Sequence, residues 1–441
     1  MRNHIFIENK IRSFNKKIKV SSDKSISIRS ILLASQAVGI SKISNLLESE
    51  DVLNTLQTIR KLGIDYKKKG NVYFIKGFGL NGFNIKKKIT INAGNSGTLA
   101  RLILGLLVKC KYRVKLIGDK SLSKRDFSRV IKPLRLFGAN ITSKNNLLPI
   151  EILGTDFLRP IIYKENIGSA QVKSCLILAA LNTPGVSVIN SKLSRNHTEL
   201  MLKFLKYPIK VKKNNTYELI SLKGQNQFKC FNYNVPGDIS SASFFIVLTL
   251  LSTKAQIIIE NVNINQSRTG IIYILNKMGA DIQIKRKKNY NGELIANIHV
   301  KSKRNFKAIN CPPKMNSSAI DEFLIIFLVA AKAKGISKFK NLGEMNKKES
   351  KRLDLGIKFL RSIGIKVKRF KDDINIYGNP NLILTKKYVM KDFLKDHRIF
   401  FLSCITALTL GGKWKINDKD SINSSFPDFL KILTNIGAKI N

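Results

Sequence analysis

Two cations stand where a helix would ordinarily reject them. Lys24 follows Asp23 at the head of an apolar run ending at Ala37, and Arg398 follows Asp396-His397 at the head of another ending at Leu410. A helix N-terminus carries unsatisfied N–H donors and about half a positive charge. A lysine or arginine placed there opposes the macrodipole unless an anion joins it. Four more apolar runs open on small, hydroxyl or acidic residues: Asn95-Ser96-Gly97, Ser169-Ala170-Gln171, Asp238-Ile239-Ser240-Ser241 and Ile320-Asp321-Glu322. Singly, Asp238 or Ser240 serves equally as an ordinary N-cap. Taken together, helix starts supplemented by lysine and arginine suit small phosphates and carboxylates. The four histidines have no metal-ligand spacing, and the five cysteines (Cys110, Cys175, Cys230, Cys311, Cys404) show no CxxC or pairing rhythm. An enzyme without metal or organic cofactor, in a reducing cytoplasmic compartment, is the expectation.

The elements that must position these residues recur. One is a polar start, an amphipathic helix, a glycine and a short strand, seen at Glu50…Gly63, Lys124…Gly138, Ser267…Gly279, Ser350…Gly364 and Ser425…Gly437. Phe127, Val130, Ile131, Leu134 and Phe137 follow helical spacing on one face. Each glycine suits a left-handed C-terminal cap. A sixth copy, Ser194–Ile209, has Tyr207-Pro208 where glycine is expected. The other element is the apolar run itself, apolar nearly all round and therefore interior, with the amphipathic helices packed outside it. The repeat length of roughly 70–85 residues exceeds solenoid periods and points to βαβ-type units grouped into compact domains. The chain ends inside its sixth unit, and the extended segment Ile5–Ile18 is placed to supply the missing strands. That gives an α/β fold with a domain at 22–235 and a second made of 1–21 plus 236–441, the two facing across a cleft.

With 441 residues, 44% of them apolar, the chain can bury more than one core. No run approaches the roughly 20 apolar residues a bilayer requires, and Met1–Lys10 has no signal-peptide character. A formal charge of +49 raises nucleic-acid binding. Against it, lysine, asparagine and isoleucine are abundant together, as A+T-rich coding imposes on tolerant surface positions. The runs Lys67-Lys68-Lys69, Lys86-Lys87-Lys88 and Lys285-Arg286-Lys287-Lys288 have no interleaved aromatics to stack bases. Solvated faces are the expected reading, with no nucleic-acid or membrane partner.

Ordered segments through nearly the whole chain resemble the EPSP synthase (3-phosphoshikimate 1-carboxyvinyltransferase) family. They are Asp23-Lys24-Ser25-Ile26-Ser27-Ile28-Arg29, Gly94-Asn95-Ser96-Gly97-Thr98, Gly118-Asp119…Lys124-Arg125, Ser169-Ala170-Gln171-Val172-Lys173-Ser174 and Ser194-Arg195-Asn196-His197-Thr198-Glu199. Pro236-Gly237-Asp238-Ile239-Ser240-Ser241, Ile320-Asp321-Glu322, Lys348-Glu349-Ser350 and Asp396-His397-Arg398 continue the series. The resemblance implies a two-domain inside-out α/β barrel, each domain built of three βαβαββ-like units. It also implies transfer of the enolpyruvyl group of phosphoenolpyruvate to the 5-hydroxyl of shikimate 3-phosphate, by a monomer.

Site roles follow from the same resemblance. Lys24, Ser25, Arg29, Ser169, Gln171, Ser194, Asp321 and Lys348 are expected on shikimate 3-phosphate. Lys24, Asn95, Gly97, Arg125, Gln171, Arg352 and Arg398 are expected on phosphoenolpyruvate. Asp321, Glu349 and Lys24 are the expected catalytic groups. The chemistry agrees: arginine forks hold anions bidentately, and two carboxylates on separate elements divide acid and base work. Five positions depart from the family pattern, namely Ile28, Glu344, Asn346, Lys351 and Ser424, the last standing where some members place a phosphoenolpyruvate-binding lysine. The related transferase acting on UDP-N-acetylglucosamine typically has asparagine after the first lysine and a loop cysteine; here Ser25 follows Lys24, and Asp119–Asp126 has no cysteine.

Overall fold

The computed structural model describes residues 3–391, 393 and 395–441. The chain divides into two compact units, Ser22–Val235 with Asn289–Glu293, and Met1–Ser21 with Pro236–Lys288 and Leu294–Asn441. The first is called the central unit and the second the terminal unit.

In the central unit the helices are α1 (Lys24–Ala34), α2 (Glu50–Lys61), α3 (Gly97–Leu106), α4 (Ser128–Leu136), α5 (Ala170–Asn182) and α6 (His197–Phe204). Helices α1, α3 and α5 are buried along nearly their whole length, as an apolar surface on every side requires. Helices α2, α4 and α6 bury one side only. Three four-stranded sheets cover this core, with one strand order in each. Ile89–Asn92 runs parallel to Val114–Ile117, then come Ile150–Leu153 and Asn140–Ser143, both antiparallel. Ile162–Glu165, Val186–Lys192, Tyr217–Lys223 and Ile209–Lys213 repeat it. The remaining sheet, Val38–Ser44, Val72–Phe78 and Tyr66–Lys69, takes its parallel edge from Asn232–Asn234, so the end of the segment closes its beginning.

The terminal unit holds α7 (Ile239–Leu251), α8 (Gly270–Lys277), the single turn α9 (Asn316–Ala319), α10 (Phe323–Ala331), α11 (Arg352–Ser362), α12 (His397–Leu410) and α13 (Phe429–Ile436). Here α7, α10 and α12 are the buried helices and pack on one another. The N-terminal segment completes two of the sheets. Ser13–Ile18 pairs parallel with Lys254–Asn263, and His4–Ile7 pairs antiparallel with Gly411–Asn417 while Ile7 bridges Ile440. The tip of the hairpin Asp281–Tyr290/Glu293–Lys301 groups with the central unit, an excursion with no sequence signal. There the Glu293 carboxylate meets His197 Nδ1 at 2.6 Å, both side chains fully buried.

The glycines that close the amphipathic helices have the expected left-handed backbone: φ is +86° at Gly63, +106° at Gly138, +93° at Gly279, +82° at Gly364 and +118° at Gly437. In the degenerate copy Lys206 occupies that conformation at φ +56°, one residue before Tyr207.

Candidate active site

In the central unit the starts of three buried helices converge through side-chain hydrogen bonds. Asp23, Ser96 and Ser169 cap α1, α3 and α5, accepting from Ile26, Leu99 and Val172 N–H. Arg29 leaves α1 to donate from Nη2 to Ser174 Oγ on α5 and from Nε to Thr198 Oγ1 on α6, each at 2.9 Å, and from Nη1 to the Ser25 carbonyl at 3.0 Å. Its guanidinium is buried and braces the three helices. Ser25 is half-buried beside it.

Lys24 lies on the first residue of α1, and Asp51 in the first turn of α2 answers it, Nζ to Oδ2 at 2.8 Å. The counter-anion that the macrodipole demands is thus supplied by the protein, which the sequence reading did not foresee.

Gly97 is the first residue of α3, and a β-carbon there would stand 2.8 Å from both Arg101 Nη1 and Arg125 Nη1. Asn95 donates from Nδ2 to Asp119 at 2.6 Å and accepts on Oδ1 from Arg125 Nη2 at 3.3 Å. Arg125 Nε is buried with no hydrogen-bond partner among the described residues. Arg101, absent from the sequence candidates, binds Gln171 Oε1 at 3.2 Å and the carbonyls of Gly97 and Asp126 at 3.3 and 3.2 Å, and it lies over the Phe127 ring. Gln171 in turn donates to Thr98 Oγ1 at 3.0 Å. An arginine inside an otherwise apolar helix was the available sequence signal for Arg101. Ser194 Oγ is buried and likewise without a partner among the described residues. Lys173, wholly buried, pairs with Glu199 at 2.7 Å and with Glu218, tying α5 to α6 and a strand behind Arg29.

The terminal unit has a second cluster, richer in carboxylates. Arg352 on α11 is fully buried and holds three of them: Asp396 Oδ2 from Nε at 3.0 Å, Glu349 Oε2 from Nη2 at 2.7 Å and Asp321 Oδ1 from Nη1 at 3.4 Å. Burial opposes its charge, yet Asp396, Glu349 and Asp321 together hold its pKa above the ordinary arginine value. Burial alone would raise the Asp396 carboxyl; Arg352, His397 and the Ser350 hydroxyl outweigh that and the nearby Glu349, and hold it below the usual range. Asp396 also caps α12, accepting Arg398 N–H at 2.9 Å.

Asp321 is met from three sides, by Arg352, by Lys348 Nζ at 3.4 Å and by Arg398 Nη2 at 4.0 Å. It does not open α10 as expected. The helix starts at Phe323 with Glu322 in the N-cap position, and Asp321 lies in the preceding turn, where those cations draw its carboxylate away from capping. Arg398 Nη1 donates to the Asp321 carbonyl at 2.5 Å and stands 3.8 Å from Glu322, so this second misplaced cation is also answered from within. Glu322 is buried, and Ser240 on α7 donates to it, while Arg268 reaches Ser240 at 2.8 Å and Asp238 at 2.9 Å. The starts of α7, α10 and α12 are joined by this chain of contacts.

The departures have local explanations. Asn346 caps the start of α11: its Oδ1 accepts from Leu353 and Asp354 N–H at 2.9 and 3.3 Å, and its Nδ2 donates to Asp354. Ser424 is occupied with the Ser421 carbonyl at 2.9 Å and His397 at 3.4 Å. Glu344 pairs with Lys347, and Ile28 is buried core. Lys351 sits in the N-cap position of α11 without a side-chain cap.

Residues 9–433 match the profile of the family described as EPSP synthase (3-phosphoshikimate 1-carboxyvinyltransferase). A 3-phosphoshikimate 1-carboxyvinyltransferase of Ruthia magnifica subsp. Calyptogena magnifica is 41% identical over 438 residues, which span 99% of this chain and 98% of that one. The corresponding protein of Zymomonas mobilis subsp. mobilis is 37% identical, over 96% of this chain and 94% of its own. The solved EPSP synthase of Acinetobacter baumannii superposes with a TM-score of 0.86 at 35% identity, covering 99% of each chain. The enolpyruvyl transferase NikO of Streptomyces tendae, at 12% identity, shares the fold, with a TM-score of 0.77 over 99% of this chain and 98% of that one. A profile match over nearly the full length, joined to relatives of this identity and coverage, places the chain in the EPSP synthase family.

Proposed function

We propose that the two clusters divide one enolpyruvyl transfer between anion binding and proton transfer. As an EPSP synthase the chain moves the enolpyruvyl group of phosphoenolpyruvate to the 5-hydroxyl of shikimate 3-phosphate and releases phosphate. The observation that carries the division of roles is the pair of carboxylates, Asp321 and Glu349, held on one buried guanidinium, Arg352.

In this reading Lys24, Ser25, Arg29, Ser169, Gln171 and Ser194 bind shikimate 3-phosphate, with Arg29 acting largely by bracing α1 against α5 and α6. Asn95, Gly97 and Arg125, with Lys24 and Gln171, bind phosphoenolpyruvate; the unpartnered Nε of Arg125 and the close seating of the Arg101 and Arg125 guanidinium groups over Gly97 support this. Arg352 and Arg398 add charge for the same substrate. Asp321, as an anion among Lys348, Arg352 and Arg398, takes the proton of the 5-hydroxyl while that oxygen attacks C2 of phosphoenolpyruvate. Glu349 delivers a proton to the methylene carbon. In the elimination the Glu349 carboxylate takes a proton back from the resulting methyl group, Asp321 gives its proton to the departing phosphate, and the flanking cations stabilise the anionic adduct in between. The 22–235 domain then serves mainly anion binding, and the domain of 1–21 plus 236–441 the proton transfers. The enzyme acts as a monomer in the cytoplasm. Cysteines that are all free, four of them buried, support the reducing compartment.

The test is inorganic phosphate release by purified protein. It should require shikimate 3-phosphate and phosphoenolpyruvate together. Equal release with UDP-N-acetylglucosamine in place of shikimate 3-phosphate would overturn the substrate assignment.

A further inference from the structure

The Asn95 side chain cannot tell its own two ends apart by shape, since amide oxygen and nitrogen are nearly equal in size. Its neighbours decide. Arg125 Nη2 only donates, so the end 3.3 Å from it must be the oxygen. The Asp119 carboxylate only accepts, so the end 2.6 Å from it must be the nitrogen. Asp119 is fixed in its turn. Its other oxygen accepts Leu122 N–H at 2.7 Å, its own N–H donates to the Gly94 carbonyl at 2.8 Å, and Arg125 N–H donates to the Leu122 carbonyl at 3.0 Å. The loop after Ile117 and the entry to α3 are thereby closed into a ring: Gly94, Asn95, Arg125, Leu122, Asp119.

We infer that Asp119 is a positioning residue for phosphoenolpyruvate binding, acting through the amide orientation of Asn95 to aim the Arg125 guanidinium. The inference rests on the assignment of Asn95 and Arg125 to phosphoenolpyruvate. Two acceptor oxygens are needed at residue 119, one for each donor. Asparagine has one. In Asp119→Asn, either the Leu122 N–H or the Asn95 amide faces an NH2 group, and turning Asn95 over to relieve the second conflict points its NH2 group at Arg125. A carboxylate at this place therefore fixes direction as well as supplying a bond.

The experiment is steady-state kinetics of phosphate release on four proteins: the native chain, Asp119→Asn, Asn95→Ala and the double variant, with melting temperatures recorded for each. Asp119→Asn should raise KM for phosphoenolpyruvate about tenfold, leaving kcat and KM for shikimate 3-phosphate within about twofold. In the double variant Asp119→Asn should add nothing to the effect of Asn95→Ala. If Asp119→Asn proves too unstable, Asp119→Ser should give the same KM change, because its short hydroxyl still accepts Leu122 N–H but does not reach Asn95. An unchanged KM for phosphoenolpyruvate, or multiplicative effects in the double variant, would overturn the relay alone. Arg125→Lys, run beside them, separates the two levels: an unchanged KM there, or a native protein that releases no phosphate, would remove the underlying assignment and the relay with it.

Discussion

Asp321 gathers three cations around one carboxylate without being buried beyond reach, its side chain 11% exposed. That combination suits a base which must accept a proton and return it, because the surrounding charge stays fixed while the proton moves. Asp321→Asn keeps the size and removes the proposed proton acceptor. It should lower kcat by about 10²–10⁴-fold and change either KM by less than about threefold, read from initial rates of phosphate release. Asp396 has a different part. Its carboxyl is held below the ordinary range in the folded protein, so its contribution to stability is fully present above its unfolded pKa and disappears as pH falls through the lower folded value. Asp396→Asn should destabilise by about 3–5 kcal/mol at pH 7, because Arg352 then loses a buried counter-charge. The penalty should shrink as pH falls below about 4, where the native carboxylate begins to protonate on unfolding. Chemical denaturation at a series of pH values measures both. At this scale the sequence yielded the residue types but not their partners. Lys24 and Asp51 are 27 positions apart, Arg29 and Ser174 145 apart, and no local periodicity links such pairs.

Among elements, the amphipathic helix that ends on a left-handed residue recurs in every repeat, and the backbone sets its stability there. Gly364 has φ +82° and open space where a β-carbon would go, so Gly364→Ala meets conformational strain without a clash. It should cost about 1–2 kcal/mol in urea denaturation. Lys206 bears that strain already at φ +56°, and Lys206→Gly should be stabilising by about 0.5–1 kcal/mol. Gly224 illustrates a different constraint. A β-carbon there would lie 1.8 Å from the Thr183 carbonyl oxygen, at the end of α5. Five of the six left-handed positions were legible because a glycine follows the apolar period; Lys206, in the copy that lacks one, was not. The close approach of a strand to a helix end was not, since it involves residues 41 positions apart and leaves no pattern in either segment.

For the whole molecule, the central unit owns a core made entirely of residues between Ile26 and Val235. A fragment 22–235 should therefore unfold in a single cooperative transition with helical far-UV circular dichroism. It should be less stable than the same unit in the full chain, because His197 loses Glu293, and it should release no phosphate, because Asp321, Glu349 and Arg352 are absent. Non-cooperative melting would show that the core depends on the rest of the chain. The charge of +49 belongs to this scale as well: the runs Lys67–Lys69, Lys86–Lys88 and Lys285–Lys288 are all solvent-exposed, as solvated faces should be. By itself the sequence determined which helices are interior and where five of the outer helices stop, because burial and backbone handedness act over a few neighbouring residues. Tertiary structure alone decided that Asp51 and the Asp321 carbonyl answer the two misplaced cations, that Arg101 bonds Gln171 across to α5, and that Asp119 accepts from Asn95. Electrostatic pairing depends on distances in space, and those exist only once the repeats have closed on one another.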